Sequence, residues 1–314
     1  NCFSIIYFSH LLLLYDKILK YKTMEKPFNH KEITITIVLY KEDYNLINKT
    51  LSKLKSFKKI IVDNDNNLIL KNKIQSNFHV DDYILNNKNI GFSAGYNQAA
   101  RLCKTKYLLI LGPDCIISDQ DVHKLADYLT FDKNCFLVSA TSYNENMTSM
   151  TYTGGLLPEN GGRSKVLNLT GNTCVESILG ACMMVRTNEF KEIGMFDENF
   201  FIYFSDDDLC RRIKKQKRSV IQNYDAKCLH THGISKLKNK YLKKFVRENN
   251  YTFDNLYYYY KSNPEHVEIK KILKKNPSLV IKLFVKLLTF NFIELVAILA
   301  RLFAIIRFKN KFKN

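Results

Sequence analysis

The chain has 314 residues, of which 46% are hydrophobic and 13% aromatic, and its formal net charge is +18. This composition excludes an intrinsically disordered chain, and the length is enough for one large domain or two modest ones, each with a sizeable core. The charge is uneven: residues 236–314 contain 18 Lys or Arg against five Asp or Glu. Such a basic segment predicts an anionic partner, either phospholipid or nucleic acid.

The N-terminal segment is apolar but short. The chain begins with Asn1 rather than Met, and the uncharged run CFSIIYFSHLLLLY follows. That run is too short for a typical membrane span and lacks the basic start of a signal peptide. We expect translation to start at Met24 and residues 1–23 to lie outside the fold; a short membrane-associating helix is the alternative.

Eight cysteines are present, and most of them lie inside apolar runs. No CxxC pair or Cys/His spacing typical of a zinc site is found. The pattern favours free, buried thiols in a reducing compartment over a disulfide framework.

Four predicted strands alternate with predicted helices in the first part of the chain. The strands read ITITIVLY (33–40), KKIIVD (58–63), DDYIL (81–85) and KYLLIL (106–111). Helical spacing of apolar residues follows the first strand, and GFSAGYNQAARLC leads from a loop into a helix after the third. This alternation predicts an open, largely parallel α/β sheet, in which ligands bind beyond the carboxyl ends of the strands.

The rest of the chain predicts more loops, one further helix and a separate tail. Residues 141–173 are rich in Gly, Asn, Ser and Thr and predict loops or short antiparallel strands. FIYFSDDDLCRRIKKQ predicts a loop that runs into a helix, and SVIQNYDAKCLHTHGIS ends the first domain. We therefore expect a domain at 24–235 and a basic, helical C-terminal region at 236–314.

Polar residues and glycines follow the predicted strands at the edge where such sheets bind ligands. Each residue taken alone is compatible with an ordinary turn or cap. Taken together they predict a pocket for a nucleotide and a metal ion, and the residues concerned are Tyr40, Asp63, Asn89, Gly91, Asn97 and Asp114.

Six segments occur in a familiar order and spacing: VDND, NIGFSAGYNQ, LLILGPD, GACMMVR, IGMFDENFFIYFSDDDLCRR and DAKCLHTHGIS. Over residues 33–235 the chain resembles the family 2 glycosyltransferases, and more narrowly the rhamnosyltransferase-like group that builds bacterial surface polysaccharides. The resemblance implies a GT-A fold, which is an α/β fold with an open mixed, mainly parallel sheet flanked by helices. It also implies a nucleotide-diphosphate sugar donor, Mg²⁺ or Mn²⁺, and transfer with inversion at the anomeric carbon.

The resemblance assigns roles on the donor side. Asp63 matches a residue that contacts the base or ribose, and Asp114 matches the metal-binding aspartate. Oxygen ligands suit a hard cation, which offsets the charge that develops on the departing diphosphate. His230 matches a histidine that can reach the diphosphate or its metal, and His232 is a weaker candidate. Gly112 departs from the family pattern, which has Asp or Asn two residues before the metal-binding aspartate.

Three consecutive aspartates form the acceptor side of the prediction. By the resemblance, Asp206 is the general base that draws the proton from the acceptor hydroxyl. Ser205 stands where the family usually has glutamate. Asp208 is expected to support the helix N-terminus, and Asp207 to face solvent. The alternative is that all three residues only cap a helix.

Gly180, in LGACMMVR, is a further candidate on the acceptor side. Its missing side chain would allow a close approach of the backbone to the acceptor sugar. Tight packing in the core would also explain a glycine at this position, and both explanations stay open.

The end of the chain predicts contact with a membrane surface. Residues 278–308 are mostly apolar but are interrupted by charges, among them Lys282, Lys286 and Arg307. This pattern favours an amphipathic helix in the membrane interface over a simple span. It suits an enzyme at the cytoplasmic face of the cell membrane with a lipid-linked glycan as acceptor. The alternatives are packing on the catalytic domain and a homo-oligomer contact.

The sequence thus predicts an inverting transferase with a nucleotide-diphosphate sugar as donor and a glycan or lipid-linked acceptor. The alternative is a degenerate transferase-like protein that acts as a membrane-surface binding module, because Gly112 and Ser205 depart from the family. Nucleic acid is not expected as a partner, since no DNA or RNA motif is present and the basic residues interleave with apolar ones.

Overall fold

The structure is a computed structural model that describes residues 29–152, 154–162, 170–231, 239–263, 274 and 276–312. The predictions for residues 1–23 and for His232 fall outside the described residues. The expected boundary near residue 235 lies in the gap between 231 and 239 as well.

The described strands all belong to one mixed sheet. They are β1 (Ile33–Leu39), β2 (Lys58–Asp63), β3 (Asp82–Leu85), β4 (Tyr107–Leu111), β5 (Cys115–Ile117), β6 (Cys135–Tyr143), β7 (Met150–Tyr152), β8 (Thr173–Val175), β9 (Cys182–Arg186) and β10 (Ser219–His230). Their order across the sheet is β3-β2-β1-β4-β9-β6-β10-β5, with β7 beside β6 and β8 beside β10.

Helices flank this sheet and continue beyond it. They are α1 (Tyr44–Ser52), α2 (Leu68–Asn77), α3 (Gly91–Leu102), α4 (Asp119–Phe131), α5 (Thr187–Glu192), α6 (Ser205–Lys215), α7 (Lys240–Ser262), α8 (Asn276–Leu288) and α9 (Phe292–Phe312). Short 3-10 helices lie at His30–Glu32 and Pro158–Asn160. The predicted α/β fold with a C-terminal helical extension is confirmed.

Local chemistry explains where these elements begin. The β-branched residues of β1 and β2 are buried on both faces of the sheet, as expected for central parallel strands. The side chain of Asp43 accepts from the backbone N–H of Asn45 at the start of α1, and Ser118 does the same for Asp121 at the start of α4. The first four strands lie where the sequence predicts them.

Strand direction decides which loops share an edge. Strands β1 to β4 run parallel, β9 runs antiparallel between β4 and β6, and β6 and β10 run in the direction of β4. The carboxyl ends of these parallel strands therefore lie at one edge, which we call the carboxyl edge. Strands β5 and β9 begin at that edge, because each pairs antiparallel with a strand that ends there.

The C-terminal helices form a second layer against the domain. Helices α7 and α9 pack against each other, and their aromatic residues meet in a buried cluster that includes Phe200, Tyr257 and Phe308. The apolar stretch predicted over 278–308 forms two helices, α8 and α9, joined at 289–291. Packing of α9 buries Ala297, Ala300 and Ala304, so part of the tail is core rather than free surface.

Candidate active site

Asp114 and His230 meet at the carboxyl edge. Asp114 follows β4 and directly precedes β5, and Cys115 on β5 pairs with His230 at the end of β10. The carboxylate Oδ2 of Asp114 lies 3.3 Å from Nε2 of His230. The backbone N–H of Thr231 donates to the carbonyl oxygen of Asp114 over 3.2 Å and fixes the loop. The strand register thus joins two residues that are distant in the sequence.

The chain segment before β9 connects Asp114 to Asp206. The N–H of Gly112 donates to the carbonyl of Ala181 over 2.7 Å, and the N–H of Gly180 donates to Oδ2 of Asp206 over 2.9 Å. Because residues 180 and 181 are neighbours, the loop of Asp114 and the first turn of α6 flank one short segment. The loop that carries Asp114 and the first turn of α6 that carries Asp206 thus both contact one short segment at the carboxyl edge.

Asp206 is held by backbone donors at the helix N-terminus. Its Oδ1 accepts from the N–H of Asp207 over 3.0 Å, and its Oδ2 accepts from Gly180. A Cβ atom added at Gly180 would lie 3.4 Å from Cβ of Asp206 and 3.1 Å from the ring of Phe92. Gly180 therefore allows a close approach of backbone and carboxylate, as the packing explanation expects. The approach of its backbone to an acceptor sugar stays a prediction.

The prediction that Asp207 faces solvent is wrong. Asp207 is 2% exposed, and its Oδ1 accepts from the hydroxyl of Ser177 over 2.5 Å. The first turn of α6 is covered by the segment around Ser177, so the middle aspartate of the three points into the protein. Asp207 thus links the first turn of α6 to the segment around Ser177.

Asp208 supports the helix, as predicted, but it is fully buried and does not face an acceptor. Its carboxylate forms ion pairs with Arg211 and Arg212 on the same helix and with Lys261 on α7, at 2.9 to 3.0 Å. The expected place of Asp208 on the acceptor side is therefore corrected: three cations enclose it, and it ties α6 to α7.

Ser205, which departs from the family pattern, has a structural contact. Its hydroxyl lies 2.7 Å from the hydroxyl of Ser93 on α3, and both residues are buried. Phe204 precedes it with a left-handed backbone (φ 62°) and sets the direction in which α6 begins. The hydroxyl pair thus fixes the start of α6 to α3 at the position where a glutamate is usual.

Asp63 ends β2 at the same edge. It accepts hydrogen bonds from the N–H of Asp65 and from the hydroxyl of Tyr83. Burial raises the pKa of the Asp63 carboxyl, and the N–H of Asp65 and the Tyr83 hydroxyl partly oppose the shift by binding the ionised form. The side chain is 1% exposed, so little of it is accessible to a ligand.

An amide network lies between Asp63 and α3. The Asn64 amide donates to Oδ1 of Asn89 and to the carbonyl of Gly91, while Asn86 donates to Oδ1 of Asn64. Gly91 has φ +87°, and a Cβ there would lie 2.4 Å from the carbonyl oxygen of Phe201. The sequence singled out Asn89 and Gly91 but missed Asn64 and Asn86, which differ from ordinary loop residues only in their tertiary contacts.

Two further predicted donor-side residues, Tyr40 and Asn97, take no part in this amide network. Tyr40 is 38% exposed just after β1, which leaves it accessible. Asn97 is 1% exposed; its amide donates to the carbonyl of Phe196 and to Glu198, and its Oδ1 accepts from the N–H of Phe196. The prediction of Asn97 as a donor contact is therefore corrected: its side chain holds the loop that precedes α6.

Asp254 on α7 is a residue that the sequence reasoning missed. Its carboxylate accepts from the N–H groups of Phe201, Ile202 and Tyr203 over 2.9 to 3.1 Å. These residues lead directly into α6 and Asp206. Burial raises the pKa of Asp254 to about 6, although the three N–H groups oppose the shift. An acidic residue on the apolar face of a predicted helix was the available signal.

The carboxyl edge offers suitable ligands for a divalent cation. One atom each of Asp114, Cys115 and His230 lie within 4.8 Å of one another. Carboxylate oxygen and neutral imidazole suit Mn²⁺, and carboxylate oxygen suits Mg²⁺. Asp114 keeps 19% of its side chain exposed, so a cation and a ligand can reach it from solvent.

Sequence comparison shows the family of the chain. The family model described as Glycosyl transferase family 2 matches residues 34–194, just over half of the chain. That range includes Asp63, Asp114 and Gly180, whereas Asp206 and His230 lie beyond it.

Three proteins that are 24–27% identical to the chain are named as hexosyl- or rhamnosyltransferases. The chain is 26% identical over 223 residues to the low-salt glycan biosynthesis hexosyltransferase Agl10 of Haloferax volcanii. The aligned region covers 66% of this chain and 69% of that protein. It is 27% identical over 195 residues to the rhamnosyltransferase WbbL of Escherichia coli, covering 55% and 72%. It is 24% identical over 216 residues to the dTDP-rhamnosyl transferase RfbF of Shigella flexneri, covering 67% and 72%.

Solved structures share the fold. GalNAc-T7 with UDP, GalNAc and Mn²⁺ superposes with a TM-score of 0.56 at 12% identity, over 73% of this chain. This chain spans about half the length of that protein, 51%. The mannosyltransferase PcManGT of Pyrobaculum calidifontis, in complex with GDP-Man and Mn²⁺, superposes with a TM-score of 0.51 at 12% identity, over 79% of this chain and 71% of that one.

Proposed function

The chain belongs to glycosyl transferase family 2 and is a glycosyltransferase, and from this premise we propose which reaction it performs. It moves rhamnose or a similar hexose from a nucleotide-diphosphate donor to a hydroxyl of a glycan or lipid-linked acceptor, with inversion at the anomeric carbon. The observation that carries the proposal is the arrangement of Asp114 and Asp206 around residues 180 and 181 at the carboxyl edge.

Asp206 is the proposed general base. As the acceptor oxygen bonds to the anomeric carbon, its proton passes to the Asp206 carboxylate, and the bond from that carbon to the diphosphate oxygen breaks. The departing nucleotide diphosphate keeps the electron pair of that bond. Backbone donors from Gly180 and Asp207 hold the carboxylate in one orientation, which places the accepting oxygen before the reaction begins.

The donor side is proposed to consist of Asp63, Asn89, Gly91 and Asp114, with Tyr40 at the exposed rim. Asp114 and His230 would hold Mg²⁺ or Mn²⁺, which supplies positive charge next to the diphosphate. The buried Asp63 carboxylate would accept hydrogen bonds from a ribose or base, because its position at the end of β2 is where sheets of this kind bind nucleotides.

Donor binding tests this assignment. Wild-type protein is screened by thermal shift against dTDP-, UDP- and GDP-sugars with and without Mn²⁺, since a ligand specific to the native state raises the melting temperature. We expect one nucleotide class to raise it in a Mn²⁺-dependent way and Asp114→Asn to lose the Mn²⁺ dependence. A donor shift in Asp114→Asn that still needs Mn²⁺ would contradict the assignment of Asp114.

We also propose that the acceptor is reached at a membrane surface. No helix among the described residues combines the length and apolar content that a bilayer crossing requires. Helix α8 and its junction with α9 nevertheless expose large apolar side chains, including Phe284 at 62%, Leu288 at 77% and Phe290 at 75%. Lys282 and Lys286 lie two residues from Phe284 and Leu288 on the same helix, which places them on roughly the opposite side. The helix thus has an apolar side and a basic side, which favours an interface of anionic lipid.

Vesicle flotation tests the membrane proposal. We expect the full chain to float with vesicles that contain anionic phospholipid and to release them at high salt. Phe284→Ser with Leu288→Ser should abolish flotation, while Leu68→Ser, at a residue exposed on α2, should not. A concentration-dependent dimer that the Phe284 and Leu288 substitutions dissociate, without any lipid binding, would instead assign this face to a contact between two copies.

The degenerate-transferase alternative makes the opposite prediction for catalysis. Gly112 and Ser205 depart from the family pattern, and the hydroxyl of Ser205 forms a hydrogen bond with that of Ser93. If no donor in the panel supports transfer while vesicle binding persists, the membrane-surface module would be the better description. A measurable transfer rate that depends on Asp206 removes that alternative.

A further inference from the structure

A second group of metal-ligand side chains lies away from the carboxyl edge. His30 belongs to the short 3-10 helix before β1, whereas Asp119 and His123 lie one turn apart at the start of α4. One ligand atom from each residue lies within 4.8 Å of the others. Strand β1 has seven residues and so separates His30 from the carboxyl edge by about 20 Å. This group is therefore distinct from Asp114 and His230.

We propose that His30, Asp119 and His123 form a binding site for a divalent transition metal such as Zn²⁺. Oδ1 of Asp119 lies 2.9 Å from Nε2 of His123 and 3.9 Å from Nδ1 of His30. Ligands about 2.0–2.1 Å from a tetrahedral Zn²⁺ are about 3.3 Å apart. These two separations bracket that value, and all three ligand atoms lie within 4.8 Å of one another.

The surroundings of the group favour a metal over a simple ion pair. Nδ1 of His30 is shielded from solvent and has no hydrogen-bond partner among the described residues. It lies 3.9 Å from Oδ1 of Asp119, and the other oxygen of that carboxylate, Oδ2, accepts from the hydroxyl of Ser56 over 2.7 Å. A hydrogen bond to the second oxygen of a ligating carboxylate is a common feature of metal sites, because it fixes the orientation of the carboxylate.

Aromatic packing positions both imidazoles. The ring of Phe57, just before β2, lies 5.1 Å from the ring of His30 and 5.5 Å from that of His123, and the two imidazoles are 4.5 Å apart. The side chains of Asp119 and His30 are 39% and 42% exposed, so solvent reaches the group. Water can therefore complete the coordination, and an entry path for the ion exists.

The ligand set determines which ion fits. Two imidazoles and one carboxylate suit Zn²⁺, Co²⁺ or Ni²⁺, whereas Mg²⁺ prefers oxygen ligands throughout. An ion bound here would link the segment that enters β1 to the start of α4 and would stabilise the folded chain rather than take part in transfer. The site differs in ion preference from the proposed donor cation site, so the two can be separated experimentally.

Metal titration of the full chain tests the proposal. The titrations use Zn²⁺ by calorimetry and Co²⁺ by visible absorption, in an Asp114→Ala, His230→Ala background that removes both proposed ligands of the donor cation. We expect one equivalent of Zn²⁺ to bind, with a rise in melting temperature of about 4 °C at a hundredfold excess over Kd. Excess Mg²⁺ should not compete.

Variants then assign the site. His30→Ala and His123→Ala should each abolish the Co²⁺ absorption and the rise in melting temperature. His79→Ala is the matched control and should bind normally. His79 lies 3.7 Å from Asp81, but among the described residues it belongs to no group of three metal-ligand side chains. Absence of saturable binding, or binding that survives both substitutions, would overturn the proposal. Because the background lacks the proposed donor ligands, neither result depends on the proposed function.

Discussion

Replacing Asp254 tests whether a buried carboxylate on α7 holds the loop before Asp206. Its folded-state pKa is about 6, against an ordinary value of 3.8, because burial disfavours the charged form. The folded chain therefore binds this proton more tightly than the unfolded chain does. The stability that this group contributes is fully present below pH 3.8 and is lost as the pH rises through 6.

The magnitude follows from the two pKa values. Relative to the fully protonated carboxyl, ionisation of Asp254 lowers the unfolding free energy by about 1.6 kcal/mol at pH 5 and by about 3 kcal/mol at pH 7.5. The difference between the two pH values is about 1.4 kcal/mol. Asp254→Asn removes this titration while it keeps the shape of the side chain. Asp254→Ala also leaves three backbone N–H groups without their acceptor, which costs on the order of 3–5 kcal/mol at either pH.

Urea denaturation at pH 5 and pH 7.5 measures both effects. Relative to wild type, Asp254→Asn should gain about 1.4 kcal/mol of unfolding free energy between the two pH values. Asp225→Asn, at an exposed residue on β10, is the control. Its unfolding free energy should change between the two pH values as that of wild type does. If the difference between wild type and Asp254→Asn does not change with pH, or changes in the opposite direction, the reasoning about burial is refuted.

The remaining predictions concern the loops around the site. Gly91→Ala should lower the unfolding free energy by about 2 kcal/mol or more, because φ is +87° and the new Cβ would lie 2.4 Å from the Phe201 carbonyl oxygen. Gly171→Ala, where nothing lies within 4 Å, is the control in the same denaturation assay, and an equal loss in both would contradict the close-approach argument. Ser177→Ala removes a buried hydrogen bond to Asp207 and should cost about 1–3 kcal/mol in unfolding free energy. A cost near zero would mean that Ser177 does not hold Asp207.

The fold was largely predictable because its signals are local. Strands β1, β2 and β4 each contain a short run of β-branched residues or leucine, and each is followed by a loop with polar residues. The alternation with helices sets the parallel arrangement, and that arrangement brings the ends of the strands to one edge. Asp63 and Asp114 could therefore be singled out from their positions alone.

The predictions that were wrong, and the residues that were missed, depend on contacts between residues distant in the chain. Nothing near Asp207 predicts that Ser177, 30 residues earlier, covers it. The orientation of the three aspartates also depends on the left-handed backbone of Phe204, for which the sequence carries no glycine signal. Asp254 lies more than 50 residues from the N–H groups that it binds, so its role became visible only when α7 was placed against the loop.

The most direct test of the central claim compares transfer and donor binding in Asp206→Asn. The amide keeps the shape of the carboxylate but cannot take up the acceptor proton, so sugar transfer should fall by about 10²- to 10⁴-fold. Donor affinity in the presence of Mn²⁺ should stay close to that of wild type, because Asp114 and Asp63 are untouched. Transfer at a near wild-type rate, or loss of donor binding together with transfer, would contradict the assignment of Asp206 as the base.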